Sequence, residues 1–250
     1  MTAENKESYL ELMNEDFMKK NYPEGSVFKA YKKALKGFNT WLGLFFIGAF
    51  FAGSIAGVVW SINRTLEIIQ DAEENMLGFG IGISVFFLLL VLLFGAVIFF
   101  ITKDLRKTAD DWIRIVAKAG GLSEQEIREF DRQAMEPDSL ILNHLGKLKS
   151  FTTGQKKGIL TRDYICLYGG NAPGVLKLSH LKEAYLKDNT YYVKVGKTSK
   201  QAHYLTINLK STDEKNVWAE TSLEAARALQ EELERRCPGI DTAGGAVLPG

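Results

Sequence analysis

Residues 41–62 read WLGLFFIGAFFAGSIAGVVWSI, and residues 77–102 read LGFGIGISVFFLLLVLLFGAVIFFIT; neither stretch contains a charged side chain. An α-helix rises 1.5 Å per residue, so about 20 apolar residues cross a hydrocarbon core of about 30 Å. A helix also satisfies its own backbone amides, which lipid requires. Two uncharged runs of this length predict two transmembrane helices, at 40–62 and 77–102, with buried core helices as the bland alternative. The first run follows a charged leader and lacks a suitably placed small-residue cleavage site, so it reads as a span and not as a cleaved signal peptide.

The flanking charges set an orientation. Lys29, Lys32, Lys33 and Lys36 precede the first run, and Lys103, Arg106, Lys107 and Arg114 follow the second. The connection, residues 63–76, holds one base, Arg64, against Glu67, Asp71, Glu73 and Glu74. Basic residues beside short loops stay in the cytoplasm. The expectation is a cell-membrane protein with two spans, both termini cytoplasmic and a short acidic extracytoplasmic connection.

Within the first span Ala49, Gly53 and Gly57 recur four apart, the spacing at which small residues let a second helix approach closely. The partner is either the second span of the same chain, or a second copy or another membrane subunit. Ahead of that span, Phe28, Tyr31, Leu35, Phe38 and Leu42 form a stripe at helical steps, with lysines mostly on the other side. Residues 1–39 therefore read as cytoplasmic amphipathic helices. One begins near Tyr9, Leu10, Met13 and Phe17; the later one is expected to lie in the membrane interface with Lys29, Lys32, Lys33 and Lys36 toward anionic headgroups. Its alternative is packing against the protein's own cytosolic domain.

Residues 103–147 read as a helical connector. Gly120-Gly121 ends one helix, and Ser123 with Glu126 forms a capping box that starts the next. Short strand-like pieces then follow one another: GILT, YICLYG, VLKLS, EAYLK, TYYVKV, HYLTINLK and NVWAE. An amphipathic helix closes the set, with a predicted Thr221/Glu224 capping box and an apolar face of Leu223, Ala226, Leu229, Gln230 and Leu233. This predicts a C-terminal α+β domain, residues 148–236, built as a small antiparallel β-barrel or sandwich capped by a helix. A Gly-rich tail, 237–250, follows it. A fragment of residues 137–239 is expected to fold alone.

The segments GILTRDYICLYG (158–169) and VLKLSHLKEAYLKD (175–188) resemble the strand–turn–strand and following run of bacterial pleckstrin-homology-like (PH-like) domains. The resemblance spans residues 148–236. The layout of two spans with such a domain behind them, and the ending RRCPGIDTAGGAVLPG, is similar to an uncharacterised bacterial family. That resemblance implies no enzymatic activity. His180-Leu181 stands where those domains often carry an acidic residue, and no dense Lys/Arg loop of the phosphoinositide-binding kind is present.

Ten bases against three acids nonetheless fall between residues 150 and 210. Lys156, Lys157, Lys194, Lys197 and Lys200 are the candidates there for contact with an anionic lipid surface, each base near such a surface contributing about 1 kcal/mol. A merely solvated lysine face is the equal alternative.

Chemistry is not signalled. His144, His180 and His203 stand apart from other metal-ligating residues, and no nucleophile motif, phosphate loop or metal spacing occurs. No cofactor, metal or small-molecule substrate is evident. The net charge of +1 gives no field for nucleic acid. Cys166 and Cys237 read as free thiols of a reducing compartment, with a disulfide between them as the alternative. The expected function is a non-enzymatic, membrane-anchored interaction or scaffold protein presenting a cytoplasmic PH-like domain to a protein or an anionic lipid surface. The alternative is an accessory subunit of a larger membrane complex (a transporter or envelope machinery), docking through the hairpin. Partners are thus the bilayer and a membrane protein or second copy.

Overall fold

The computed structural model describes residues 9–70, 74–145, 157–169, 172–195 and 198–242. It divides into two units: Leu35–Lys107, and a second built from Met1–Ala34 together with Thr108–Gly250.

The first unit is a helical hairpin, α3 (Phe38–Gln70) and α4 (Glu74–Arg106), each 33 residues long. At about 1.5 Å per residue each helix reaches about 50 Å, more than a hydrocarbon core requires. Both are long and apolar enough to cross a membrane. Their outward side chains are large and apolar, among them Phe45, Leu89 and Leu92. Two serine hydroxyls bond back to their own helices: Ser54 Oγ donates to Phe50 O at 2.8 Å and Ser84 Oγ to Gly80 O at 3.0 Å. Packing between the two helices runs through Phe50 stacked on Phe94, Gly95 against Phe51, Gly57 against Phe87 and Gly80 against Thr65. From Phe50/Phe94 through Gly57/Phe87 to Thr65/Gly80 the contacts advance along α3 and retreat along α4, as antiparallel helices must.

The second unit begins with a strand that sequence reading places in a helix. Leu10–Leu12 is β1, and the helix after it, α1 (Glu15–Asn21), starts only where the Asn14 side chain accepts from Phe17 N at 2.8 Å. Tyr9, Leu10, Met13 and Phe17 therefore do not share one helix face. Helix α2 (Val27–Leu35) leads to the hairpin, and α5 (Ala109–Gly120) and α6 (Glu124–Gln133) lead away from it. Capping boxes at Thr108/Asp111 and Ser123/Glu126 open α5 and α6, and Gly121 at φ 68 closes α5.

Strands β2 (Leu140–Leu142), β3 (Gly158–Leu160), β4 (Tyr164–Leu167) and β5 (Gly174–Lys177) complete an antiparallel sheet in the order β1-β2-β3-β4-β5. Strand β2, with Leu12 opposite Leu140 and Leu142 opposite Gly158, lies inside the expected helical connector. A second antiparallel sheet holds β6 (Leu181–Val195), β7 (Thr198–Ser211) and β8 (Asn216–Thr221). The described strands thus form two sheets and no closed barrel.

The pieces EAYLK and TYYVKV are one strand. Asp188 and Asn189, which look like a break, stay in register opposite Leu205 and Tyr204. The Asn189 amide donates to Thr206 Oγ1 at 2.9 Å, so its polar group is used within the sheet.

Helix α7 (Leu223–Arg236) is capped by Ser222, whose hydroxyl accepts from Ala225 N at 3.2 Å. The cap falls one residue after the predicted Thr221 because β8 runs through Thr221. Its inner face, Ala226, Leu229 and Leu233, is fully buried in one core with Leu160 and Leu167 of the first sheet and Ile207 and Leu209 of the second. Gln230 donates to Ala184 O at 2.7 Å, tying the helix to β6. After the helix, Asp241 bridges in parallel to Glu183 at the edge of β6. The start of the expected tail is thus part of the fold.

Candidate functional site

The N-terminal segment enters the domain before the hairpin, and its contacts reach across the hairpin in sequence. Ser26 Oγ donates to Asp131 Oδ2 at 2.6 Å, and Val27 N donates to Asp131 Oδ1 at 2.7 Å. Asp131 on α6 thereby supplies the acceptors that the first turn of α2 lacks. Burial pushes its carboxyl above the ordinary value, against the donors that pull it down.

Along the same face of α2, Phe28 meets Phe130 edge-on at 6.2 Å and Tyr31 meets Trp112 edge-on at 5.0 Å. Phe28 and Tyr31 are buried. This corrects the membrane-interface expectation for Phe28 and Tyr31, which pack on the protein's own domain, whereas Phe38 and Leu42 farther along the stripe are exposed. The stripe is also interrupted, since α2 ends at Leu35 and α3 starts at Phe38. Burying two aromatic rings between helices outweighs leaving them at a headgroup boundary that is only half apolar.

A second polar centre holds the turn between β3 and β4. Gln133, fully buried, donates from Nε2 to Asp163 Oδ2 at 2.6 Å and accepts from Thr161 Oγ1 at 3.0 Å and Asp163 N at 3.2 Å. Nearby, Lys177 Nζ pairs with Glu126 Oε1 at 2.9 Å. With the Ser123 cap, that lysine holds the Glu126 carboxyl down at about 2. Asp131 and Gln133 were not singled out by sequence, because a polar residue on a charged helix signals nothing until its distant donors are known.

Lys29, Lys33 and Lys36 are exposed, and Lys32, four residues after the buried Phe28, is half-buried. Lys157 Nζ lies 5.2 Å from the centre of the Phe17 ring, a cation–π contact within the domain. Lys194 and Lys200 occupy adjacent rungs of the β6–β7 ladder, Lys194 opposite Ser199 and Lys200 opposite Val193. Lys156 and Lys197 lie outside the described residues.

Of the three small residues in the first span, the structure brings only Gly57 to the second helix: a Cβ there would meet the Phe87 ring at 2.5 Å. A Cβ on Gly53 would meet nothing within 4 Å, and Ala49 is exposed.

Cys166 is buried and Cys237 half-buried, and neither is in a disulfide, so the disulfide alternative does not hold. Burial pushes the Cys237 thiol up. His203 Nδ1 lies 3.3 Å from Asp188, and His180 Nδ1 lies 3.9 Å from Asp213. Among the described residues no group of three His, Cys, Asp or Glu is placed to hold a metal. A cleft of about 440 Å³ opens between the β3–β4 turn, the β5–β6 connection and the end of α7. No family model, curated protein or solved structure matches this chain.

Proposed function

We propose that this chain is a non-enzymatic membrane-anchored interaction protein whose folded unit is a PH-like module, a sheet-and-helix sandwich held at the cytoplasmic face to meet a protein or an anionic lipid surface. One observation carries this reading: the apolar hairpin is an insertion within the folded unit. The chain leaves that unit at Ala34 and returns to it at Thr108. A hairpin that starts and ends in one fold tethers it at two points, and both ends must lie on the same side of any bilayer the helices cross. The lysines that flank the hairpin favour the cytoplasmic side. Exposed Lys29, Lys33 and Lys36 add attraction to anionic headgroups there.

The second reading, an accessory subunit docking through its hairpin, is favoured by Ala49 and Gly53, which lie open on α3. Purification from gently solubilised membranes separates the two. An accessory subunit carries one stoichiometric membrane partner that Gly53→Leu removes. An interaction module keeps its associations in the Gly53→Leu protein and loses them when Lys29, Lys33 and Lys36 become glutamate. If neither variant changes what co-purifies or the affinity for anionic vesicles, both readings fail.

A further inference from the structure

The cleft beside the end of α7 has the composition of a binding site for an organic phosphate. It is lined by three cationic side chains, Arg162, Lys177 and Arg236, which come from three different elements. The one acid on its wall, Asp163, already accepts from the Gln133 amide at 2.6 Å. Arg236 is held in place by Glu232 at 2.6 Å and by donation to Thr161 O at 2.8 Å. Such a fork is set before any ligand arrives, so little side-chain freedom is lost on binding. Between the cations the wall is apolar, with Leu178, Leu181 and Ile240. A volume of about 440 Å³ falls within the range of small-ligand clefts.

We propose that this cleft binds a phosphate monoester, with the phosphate between Arg162, Lys177 and Arg236 and an apolar foot on Leu178 and Ile240. Each cation already faces a carboxylate (Arg162 that of Asp163, Lys177 that of Glu126, Arg236 that of Glu232), so a bound phosphate shares these cations with their partners. A dianion competes for them better than a monoanion does, and guanidinium forks suit phosphate oxygens. The ester is either a soluble metabolite or the headgroup of a monophosphorylated lipid.

The site contains its own reporter. Cys237 lines the cleft and is half-buried, whereas Cys166 is fully buried, so thiol alkylation of the folded protein reads Cys237. The experiment follows N-ethylmaleimide labelling of the full chain in bilayer nanodiscs at fixed pH. The additions are glycerol 3-phosphate, inorganic phosphate, or phosphatidic acid incorporated in the bilayer. A bound ester should slow labelling about tenfold when its concentration is about ten times its Kd, since only the free cleft reacts. Protection by glycerol 3-phosphate assigns a soluble ester, and protection by phosphatidic acid alone assigns a lipid headgroup.

Arg162→Gln should abolish the protection while leaving the melting temperature and the unprotected labelling rate unchanged, because Arg162 is exposed and its ion pair among the described residues is the long one with its neighbour Asp163 at 3.4 Å. Arg236→Lys should weaken it, keeping the charge and losing the fork. Equal labelling rates with and without every phosphate, or equal slowing by potassium chloride at matched ionic strength, would overturn the proposal.

Discussion

Tyr31 and Trp112 meet edge-on with ring centres 5.0 Å apart, although the whole apolar hairpin separates them in sequence. One ring sits on the helix that leads to the hairpin and the other on the helix that leads away, so the two hairpin ends are joined within the domain. The consequence is a domain separable from its hairpin but not from its N-terminal segment. Joining residue 34 to residue 108 through a flexible Gly/Ser linker of about ten residues, with a mean reach of about 17 Å, should yield a soluble protein that unfolds in one cooperative step. By contrast, residues 137–239 alone should not fold. That fragment leaves β2 without β1 and strips the ring of Tyr164 from Phe130. Circular dichroism melts of the two fragments decide the matter, and a cooperative 137–239 fragment would contradict it.

Asp131 serves Ser26 Oγ and Val27 N, so Asp131→Ala should leave buried donors unpaired. The expected cost is about 1–3 kcal/mol, read as a lower urea midpoint of the hairpin-excised protein. Asp131→Asn should recover part of that, because burial already disfavours the carboxylate charge and an amide oxygen still accepts.

Glu126 sets a pH dependence of known sign. Its carboxyl is lowered from the ordinary 4.5 to about 2 by the Ser123 cap and by Lys177. A lowered carboxyl contributes stability that is complete above its unfolded value and is lost as pH falls through its folded value. Stability should therefore decline between about pH 5 and pH 2, and Glu126→Gln should flatten part of that decline. Thermal midpoints across that window are the measurement, and an identical slope in both proteins would count against the cap and the ion pair.

Gly57 and Gly53 should respond in opposite ways. A Cβ at Gly57 collides with the Phe87 ring at 2.5 Å, so Gly57→Ala should loosen the helix pair, whereas Gly53→Ala meets open space. Trp60 fluorescence melts in detergent should fall for the first and hold for the second. A fall for Gly53→Ala that depends on protein concentration would reveal a second copy at that face.

Leu229 is fully buried between α7 and both sheets. Leu229→Ala should cost about 2–5 kcal/mol, transfer and cavity together, and Leu229→Asp should prevent folding of the domain. Hairpin orientation has its own check. A membrane-impermeant thiol reagent on intact cells should label Gln70→Cys at the end of α3 and spare Arg227→Cys on the exposed face of α7.

By itself the sequence determined what is local or one-dimensional. Runs without charge define the long helices, because a helix needs nothing beyond its own residues to satisfy its backbone. Ser123 and Gly121 mark helix ends for the same reason, since their caps close within a few residues. Leu229 and Leu233 were legible as core through helical spacing. Only the tertiary structure decided the rest. Leu10–Leu12 is a strand because Leu140–Leu142 offers it a partner 130 residues away. The continuity of β6 through Asp188 and Asn189 depends on Thr206 accepting the asparagine amide. The aromatic face of α2 could serve a membrane surface or a protein core equally well by pattern, and Phe130 and Trp112 settle which. Gly53 and Gly57 are identical in sequence logic, yet only Gly57 has the Phe87 ring of the other helix set against it. Contacts between distant residues carry no local signature, so their energies select one structure among several that the pattern allows.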